Sequence, residues 1–423
     1  MNALFTFLAA RRQFRSLRGE ALARYQNERA RSIVDYARAH SPFYRQHLDA
    51  SVDWRTLPTI DKQSMMASFD TFNTRGVRRD DAMAVALRAE RDRNFAPTID
   101  GLTVGLSSGT SGHRGLFLVD EREQKTWAAT ILARALHRIR RTRLAFFLRS
   151  NSNLYQRLGA FLQFRYFDLM TPIDEAVAAL NAYQPDLVVG PPSLLALLAA
   201  QPSLRITPRR LISVAEVLEP QDAERLRARF GVDVHQIYQC TEGLLAVSCA
   251  RGALHVQEDV VAVQCEDAGE GRVVPIVTDL HRRIQPIIRY RLNDLLVLAP
   301  DGCDCGSAFR VIERIEGRSD DVCHFVQPDG ALRAIFPDTL RRAILLAHDA
   351  IDDYQITQRR PGALEVRLRI TRDAQDVLLA AQRTLEETAR QYDCLVPALT
   401  VEEGLEPRAA EQKRRRVRVL AVS

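Results

Sequence analysis

A glycine- and hydroxyl-rich stretch, residues 105–117, has the composition of a phosphate-binding loop. Between two short apolar runs it contains four glycines and four serine or threonine hydroxyls. Glycine permits positive φ and lets backbone N–H groups approach a ligand, and a concave set of such donors suits a phosphate. The spacing matches neither a P-loop nor a dinucleotide-binding fingerprint. A phosphate cradle and an ordinary flexible hairpin between two strands are therefore both open at this point. The central residues are Ser107, Ser108, Gly109, Thr110, Ser111 and Gly112.

Four further polar clusters follow along the chain. They are residues 238–243, the segment that ends at Asp294, residues 315–321 around Arg318, and the basic residues 413–418. The first of these follows an expected parallel strand, where α/β proteins place ligand-binding residues. Each cluster also has an ordinary explanation, such as a core tyrosine, a helix-start acid, a turn cap or a solvated tail, because charged residues on loops are common. Taken singly, the clusters do not establish a function.

The elements that must position these residues alternate in type through the middle of the chain. Pro172 begins a helix, Pro185 ends it before a strand at residues 186–189, and the pattern recurs with a helix from Pro220 closed by Gly231. Helices of about ten residues between β-branched strands imply βαβ units. We therefore expect an α/β fold with a parallel sheet flanked by helices and a β-rich section appended over residues 256–297.

The last hundred residues differ in character. Apolar residues alternate from 364 to 370 as in a strand, a helix is predicted over 373–392, and a final strand over 395–401. A chain of 423 residues should form two or three units. We place the boundary near Arg318, with a large N-terminal domain over residues 1–317 and a small C-terminal α+β domain over residues 318–423.

In their order and spacing the five clusters resemble the motifs of the adenylate-forming superfamily. They are most similar to the branch that contains phenylacetate:CoA ligase and the synthetases that adenylate a deazaflavin coenzyme. The resemblance includes the N-terminal segments 41–44 and 57–62, so it covers nearly the whole chain. It implies that the large domain binds ATP and a carboxylic acid, and that the small domain is a mobile lid.

The resemblance also implies roles for residues of the large domain. Residues 107–112 match the triphosphate loop, and Tyr238 matches the aromatic side chain that stacks on adenine. Thr241 and Glu242 match the Thr-Glu pair in which the glutamate helps to hold Mg²⁺. Asp294 matches the acid that binds the ribose hydroxyls.

The boundary and the C-terminal domain match the family in the same way. Arg318 matches the arginine near the nucleotide, and Asp320 matches the hinge about which the small domain rotates. Lys413 matches the mobile lysine that reaches the carboxylate and the α-phosphate, although it follows Gln412 and the neighbouring arginines offer rival registers. Another departure is His113-Arg114, where many relatives have Gly-Lys-Pro. The positive charge that the lysine supplies in those relatives is supplied here by Arg114 or is absent.

Cysteine and histidine spacing indicates a metal site. His255 follows Cys249 after five residues, and Cys303 and Cys305 follow about fifty residues later. Three cysteines and one histidine can form a closed tetrahedral zinc set, although the Cys-x-Cys spacing is tighter than usual. The set also looks like a structural zinc site found in some phenylacetate:CoA ligase relatives. We expect structural Zn²⁺ here. The remaining cysteines are expected in the core, and they are Cys240, Cys265, Cys323 and Cys394.

The composition of the chain indicates which classes of partner it can have. The net charge of +6 arises from 59 basic and 53 acidic side chains that are interspersed, which favours a solvated surface over a nucleic-acid footprint. No run of 18 apolar residues predicts a spanning helix, and the apolar start lacks the pattern of a signal peptide. Seven cysteines, an odd number, favour a reducing compartment. We predict a cytoplasmic protein without nucleic-acid or membrane partners, and leave monomer and homodimer open.

The predicted function is ATP-dependent adenylation of a small carboxylic acid, with transfer of the acyl group to CoA or to the phosphopantetheine thiol of a carrier protein. An aromatic acid is favoured by the relatives. The chemistry brings two anions together, so catalysis is mostly positioning and charge neutralisation by Mg²⁺ and lysine. Two alternatives stay open: transfer to a non-thiol acceptor, and a catalytically degenerate ATP-binding protein of the same fold. A nucleic-acid-binding zinc module fits worse, since the Cys/His set has no C₂H₂ finger spacing.

Overall fold

The computed structural model describes residues 3–49, 52–93, 97–107, 114–135, 141–148, 162–407 and 414–420. The chain divides into two compact units. The larger comprises residues 1–292 and 296–314, and the smaller comprises residues 293–295 and 315–423. In the described part of the chain, no helix is long and apolar enough to cross a membrane.

The larger unit begins with helices. Ser41 caps α3 by accepting a hydrogen bond from Tyr44 N at 3.2 Å. Asp61 caps α4 through reciprocal hydrogen bonds with Ser64. A 3₁₀ turn at Trp54–Thr56 precedes α4. The helices are α1 (Ala3–Ser16), α2 (Gly19–His40), α3 (Pro42–His47), α4 (Lys62–Ala67), α5 (Phe69–Phe72) and α6 (Arg79–Arg91).

An antiparallel hairpin carries the glycine-rich stretch. The strands β1 (Thr98–Ile99), β2 (Leu102–Leu106) and β3 (Leu116–Val119) form a small sheet in that order. Apolar side chains of β2 and β3 pack with Phe69 and Ala82 in one buried cluster. The prediction that this stretch joins two strands is confirmed.

A mixed sheet forms the body of the larger unit, in the order β11-β12-β14-β15-β10-β9-β8-β7-β6-β4-β5, with β13 paired to β12. Neighbours from β5 to β8 are parallel, and pairing from β8 through β9 to β10 is antiparallel. The parallel half confirms the predicted βαβ units, whose helices α8, α9 and α10 pack on one buried cluster. The helices are α7 (Glu121–Ala135), α8 (Ile173–Tyr183), α9 (Pro192–Ala199) and α10 (Pro220–Phe230). The strands are β4 (Thr142–Leu148), β5 (Leu162–Asp168), β6 (Leu187–Gly190), β7 (Arg210–Val214), β8 (Val234–Cys240), β9 (Gly243–Ser248), β10 (Leu254–Val256), β11 (Val261–Gly269), β12 (Arg272–Asp279), β13 (Tyr290–Arg291), β14 (Asp294–Leu298) and β15 (Val311–Arg318).

The smaller unit is an α+β fold with a sheet in the order β20-β19-β18-β21. Leu364, Val366 and Leu368 alternate into its core, as their spacing predicts. A separate hairpin, β16 paired with β17, follows a 3₁₀ turn at Ser319–Asp321. The elements are β16 (Cys323–Val326), β17 (Leu332–Ile335), α11 (Pro337–Ala347), β18 (Ile351–Arg360), β19 (Ala363–Ile370), α12 (Ala374–Gln391), β20 (Ala398–Glu403) and β21 (Val417–Val419).

The expectation that four cysteines are core residues is right for two of them. Cys323 and Cys394 are buried, but Cys240 is half-buried and Cys265 is exposed. Cys265 lies on β11, which is at the edge of the mixed sheet and whose second half faces solvent. Cys240 ends β8, where the chain turns, so it too lacks full cover.

Candidate functional site

Ser107 and Gly115 close the base of the glycine-rich loop. Ser107 N donates to Gly115 O at 2.7 Å, and Gly115 N donates to Ser107 Oγ at 2.7 Å. Ser107 Oγ also accepts a hydrogen bond from Lys62 Nζ at 3.4 Å. A lysine therefore lies at the base of the loop. The remaining predicted loop residues lie outside the described residues, and they are Ser108, Gly109, Thr110, Ser111 and Gly112.

Lys62 reaches the loop because the backbone before it pairs with β13. Ile60 N donates to Arg289 O at 3.1 Å, and Arg291 N donates to Ile60 O at 2.8 Å. Gly115 makes the approach possible, since a Cβ at this position would lie 3.1 Å from Lys62 Cε. Lys62 belongs to the matching segment 57–62, but the sequence assigned it no role.

Arg114, offered by the sequence as the loop's cation, forms an ion pair. Its Nη1 donates to Glu90 Oε2 at 2.7 Å and its Nη2 to Glu90 Oε1 at 2.5 Å. Its Nε donates to Ser107 O at 3.4 Å. Glu90 belongs to α6, so the guanidinium joins the loop to that helix.

Thr241 and Glu242 form the turn between β8 and β9. β8 carries a bulge between Tyr238 and Gln239 and ends at Cys240. Glu242 is 8% exposed and accepts a hydrogen bond from the Tyr290 hydroxyl. Burial, together with the Glu242 carboxylate, raises the pKa of Tyr290, which therefore stays a phenol that donates. The alternative in which Glu242 starts a helix is wrong, because β9 follows directly.

Arg282 supports this turn from inside the protein. Its Nη1 donates to Thr241 O at 2.6 Å, its Nη2 donates to Gln285 Oε1 at 2.9 Å, and the residue is 1% exposed. Asp279 accepts from Arg282 N at 2.9 Å, and burial raises the pKa of Asp279. Gly243 leaves room for this carboxylate, since a Cβ there would lie 3.3 Å from Asp279 Oδ2. The turn is thus fixed through its backbone. No motif in the sequence marked Arg282 for this role.

In the smaller unit, the start of β14 and the end of β15 are adjacent. Asp294 begins β14, Arg318 ends β15, and both are half-buried. Asn293 O accepts a hydrogen bond from Ser319 N at 2.6 Å, and Asn293 Nδ2 donates to Asp320 Oδ2 at 2.6 Å. The residue before the predicted ribose-binding acid is therefore bonded to the predicted hinge residue.

The basic residues near the C-terminus are anchored. Arg414 and Arg416 both pair with Asp353 on β18, with Arg416 Nε 2.9 Å from Asp353 Oδ1. Arg415 pairs with the buried Asp321. The interpretation of these arginines as a solvated tail is wrong, because all three form ion pairs. They occupy the positions that the sequence offered as alternatives to Lys413. Lys413 itself lies outside the described residues.

Comparison with known proteins shows similarity to CoA ligases in sequence and in fold. No protein-family profile matches the chain. A phenylacetate-coenzyme A ligase from Thermus thermophilus is 24% identical over 389 residues, which cover 84% of this chain and 82% of that ligase. A 2-hydroxyisobutyryl-CoA ligase in the postadenylation state superposes with a TM-score of 0.70, at 17% identity, over 97% of this chain and 91% of that one. A benzoate CoA ligase from Burkholderia xenovorans superposes with a TM-score of 0.55, at 16% identity, over 76% and 69%. The chain is therefore similar in sequence to a phenylacetate-coenzyme A ligase and has the fold of these CoA ligases.

In this chain, a series of contacts joins the loop to the turn formed by Thr241 and Glu242. Ser107 contacts Lys62, the backbone beside Lys62 pairs with Tyr290, and Tyr290 donates to Glu242. Residues far apart in sequence are thereby brought into one region of the larger unit. Tyr238 lies on β8, four positions before Glu242, and is half-buried.

The four predicted zinc ligands converge elsewhere in the larger unit. Cys249, His255, Cys303 and Cys305 each offer one donor atom, and these atoms all lie within 4.8 Å of one another. Cys249 Sγ is 3.8 Å from Cys303 Sγ, and Cys305 Sγ is 3.3 Å from His255 Nε2. Tetrahedral zinc with ordinary bond lengths places two sulfurs about 3.8 Å apart and a sulfur and a nitrogen about 3.5 Å apart. These two separations are close to those values.

The surroundings orient His255 as a ligand. Its Nδ1 is 2.9 Å from Phe309 O, which can only accept, so Nδ1 carries the proton and Nε2 presents its lone pair to the cysteines. The ring of Phe14, on α1, meets the His255 ring edge-on with centroids 5.2 Å apart. Burial raises the pKa of the Cys249 thiol to about 12 and lowers the pKa of His255. Metal binding at this site therefore has to release thiol protons.

Proposed function

We propose that the protein is an ATP-dependent acid–thiol ligase that activates a small carboxylic acid as its acyl adenylate. The observation that carries the proposal is the joining of Lys62, at the base of a glycine- and hydroxyl-rich loop, to the buried Glu242 through Tyr290. A lysine, backbone donors and a buried carboxylate are the groups that neutralise and position a nucleotide triphosphate. Similarity to phenylacetate-coenzyme A ligase and to 2-hydroxyisobutyryl-CoA ligase supports the same reaction.

The residues of the larger unit divide the work of adenylation. Glu242 would hold Mg²⁺, which neutralises phosphate charge as the carboxylate approaches. Tyr290 keeps Glu242 oriented by donating to it, and Arg282 fixes the turn on which Glu242 stands. Lys62 supplies a positive charge where the triphosphate would enter the loop. Tyr238 would stack on the adenine.

The smaller unit would complete the site as a lid. We assign Asp294 to the ribose hydroxyls, Arg318 to the nucleotide, and Lys413 to the carboxylate and the α-phosphate. The boundary near Arg318 and the hinge at Asp320 would let Lys413 withdraw after adenylation so that a thiol can enter. The division of the chain into two compact units, with the second resuming at Ile315, supports a boundary near these residues.

Zinc in this account is structural. The set of Cys249, His255, Cys303 and Cys305 is complete with four protein ligands and leaves no open position for catalysis. Cys249 follows β9, His255 lies on β10, and the other two cysteines lie between β14 and β15. The metal would therefore tie together strands of the mixed sheet, including the strand that begins beside Glu242.

The acid and its acceptor are the finer parts of the proposal. Phenylacetate and benzoate are aromatic, 2-hydroxyisobutyrate is aliphatic, and all three similar ligases are named for CoA. We therefore propose an aromatic acid and CoA as the first candidates, with a carrier-protein thiol as the second acceptor.

Exchange of pyrophosphate into ATP tests the proposal. A panel of aryl, arylacetic and short hydroxyalkyl acids is offered with Mg²⁺, and AMP release is then followed with and without CoA. Acid-dependent exchange and CoA-dependent AMP release are expected. Bound ATP without exchange for any acid would point to a degenerate binding protein. AMP release without acyl-CoA would point to a different acceptor.

A further inference from the structure

The departure at Arg114 has a structural explanation. Arg114 stands where many relatives carry a loop lysine, yet both of its terminal nitrogens face the Glu90 carboxylate at 2.7 and 2.5 Å. The two side chains are 27% and 25% exposed, so the pair is partly shielded from water. A forked guanidinium on a carboxylate is a geometrically specific pair that a lysine cannot reproduce.

Arg114 also binds the opposite end of the loop. Its Nε donates to Ser107 O at 3.4 Å, while Gly115, its neighbour in sequence, exchanges backbone and side-chain hydrogen bonds with the same serine. One side chain thus contacts both the helix beside the loop and the loop's first residue. These contacts fix the separation of the loop's two ends.

The charges near the loop also favour a structural role for Arg114 over binding of phosphate. Lys62 Nζ lies 3.4 Å from Ser107 Oγ, so a cation already stands at the base of the loop. Glu90 neutralises Arg114, which limits repulsion between two cations that contact the same serine. A triphosphate that drew Arg114 away from Glu90 would leave a half-buried carboxylate close to its own negative charge.

We propose that Arg114 is a positioning residue, clamped by Glu90, that holds the ends of the loop for ATP, and that it is not a phosphate ligand. This inference rests on the proposed ATP-dependent function. The two roles predict opposite effects of Glu90→Gln. If Arg114 positions the loop, neutralising Glu90 loosens Arg114 and weakens ATP binding. If Arg114 is a phosphate ligand, neutralising Glu90 frees its guanidinium and strengthens ATP binding.

The test measures binding of a fluorescent ATP analogue with Mg²⁺, in the absence of any acid, to the full chain and to Glu90→Gln, Arg114→Gln, the double variant and Arg114→Lys. Asp92→Asn is the matched control, because it removes an exposed ion pair with Arg91 at the same end of α6. Both Gln variants should weaken ATP binding roughly five- to tenfold, with the double variant no worse than either. Arg114→Lys should behave like Arg114→Gln, and Asp92→Asn like the wild type.

A second measurement separates positioning from general loss of structure. In pyrophosphate exchange, the KM for ATP should rise while the KM for the acid and the thermal midpoint stay unchanged. Tighter or unaltered ATP binding by Glu90→Gln, or full binding by Arg114→Lys, would overturn the inference. Wild-type protein that binds ATP but exchanges no pyrophosphate would instead refute the proposed function. The ATP-binding measurements would still test the role of Arg114 in that case. Wild-type protein that binds no ATP would refute both.

Discussion

Replacing Cys305 by serine should remove the proposed zinc. Cys305 Sγ lies 3.3 Å from His255 Nε2, and a serine hydroxyl stays protonated and binds zinc poorly. If free zinc is present at about a thousand times its dissociation constant, bound metal stabilises the folded state by about 4 kcal/mol. At about 2 °C per kcal/mol for a large domain, loss of the metal should lower the thermal midpoint by about 8 °C.

Elemental analysis and thermal unfolding of the purified protein measure both effects. Cys265→Ser is the matched control, because Cys265 is exposed and lies outside the ligand set. One equivalent of zinc is expected in the wild type and in this control, and none in Cys305→Ser. A chelator should lower the midpoint of the wild type to that of Cys305→Ser. Wild-type protein without stoichiometric zinc, or with a midpoint that a chelator does not change, would refute the reasoning.

Three further predictions concern catalysis and stability. Lys413→Ala should abolish adenylation while ATP binding persists; full activity would place the catalytic lysine elsewhere. Tyr290→Phe removes the donor to Glu242, so the Mg²⁺ concentration for half-maximal exchange should rise about tenfold, and an unchanged requirement would contradict that role. Burial raises the pKa of Glu123 from 4.5 to about 7. Because the pKa of Glu123 is higher in the folded state than in the unfolded state, the protonated carboxyl stabilises the fold below about pH 4.5. This contribution to the free energy of unfolding falls by about 3 kcal/mol as the pH rises through about 7. Urea titrations should show this slope in the exposed-site control Glu121→Gln and not in Glu123→Gln.

Local signals predicted the parallel half of the mixed sheet well. The helix Pro220–Phe230 begins at its proline and ends at Gly231, which has a φ of 69°. Such starts and stops depend on a few neighbouring residues, so they can be read from sequence. The bulge after Tyr238 and the exposure of Cys265 depend on which strand lies alongside, and local patterns do not carry that information.

The residues of the candidate site likewise divide into those that the sequence marks and those that depend on contacts between distant segments. The proposed zinc ligands could be picked out from the sequence because Cys and His are rare and their chemistry is specific, and the structure brings the four donor atoms together. Lys62 and Arg282 were not assigned, because their roles arise from contacts across 45 and 41 residues of chain. Arg114 appeared to be a loop cation until the structure placed Glu90 beside it. Charge partners from other elements decide what such a residue does.

The measurement that tests the central claim most directly uses an acid labelled with ¹⁸O in both carboxylate oxygens. If the carboxylate attacks the α-phosphate of ATP, one labelled oxygen becomes the bridge of the acyl adenylate and leaves with AMP when the thiol attacks the carbonyl. Mass spectrometry should therefore find one ¹⁸O in AMP and one in the thioester. AMP without the label would show that water, and not the acid, attacks ATP, and would contradict adenylation as the function of this protein.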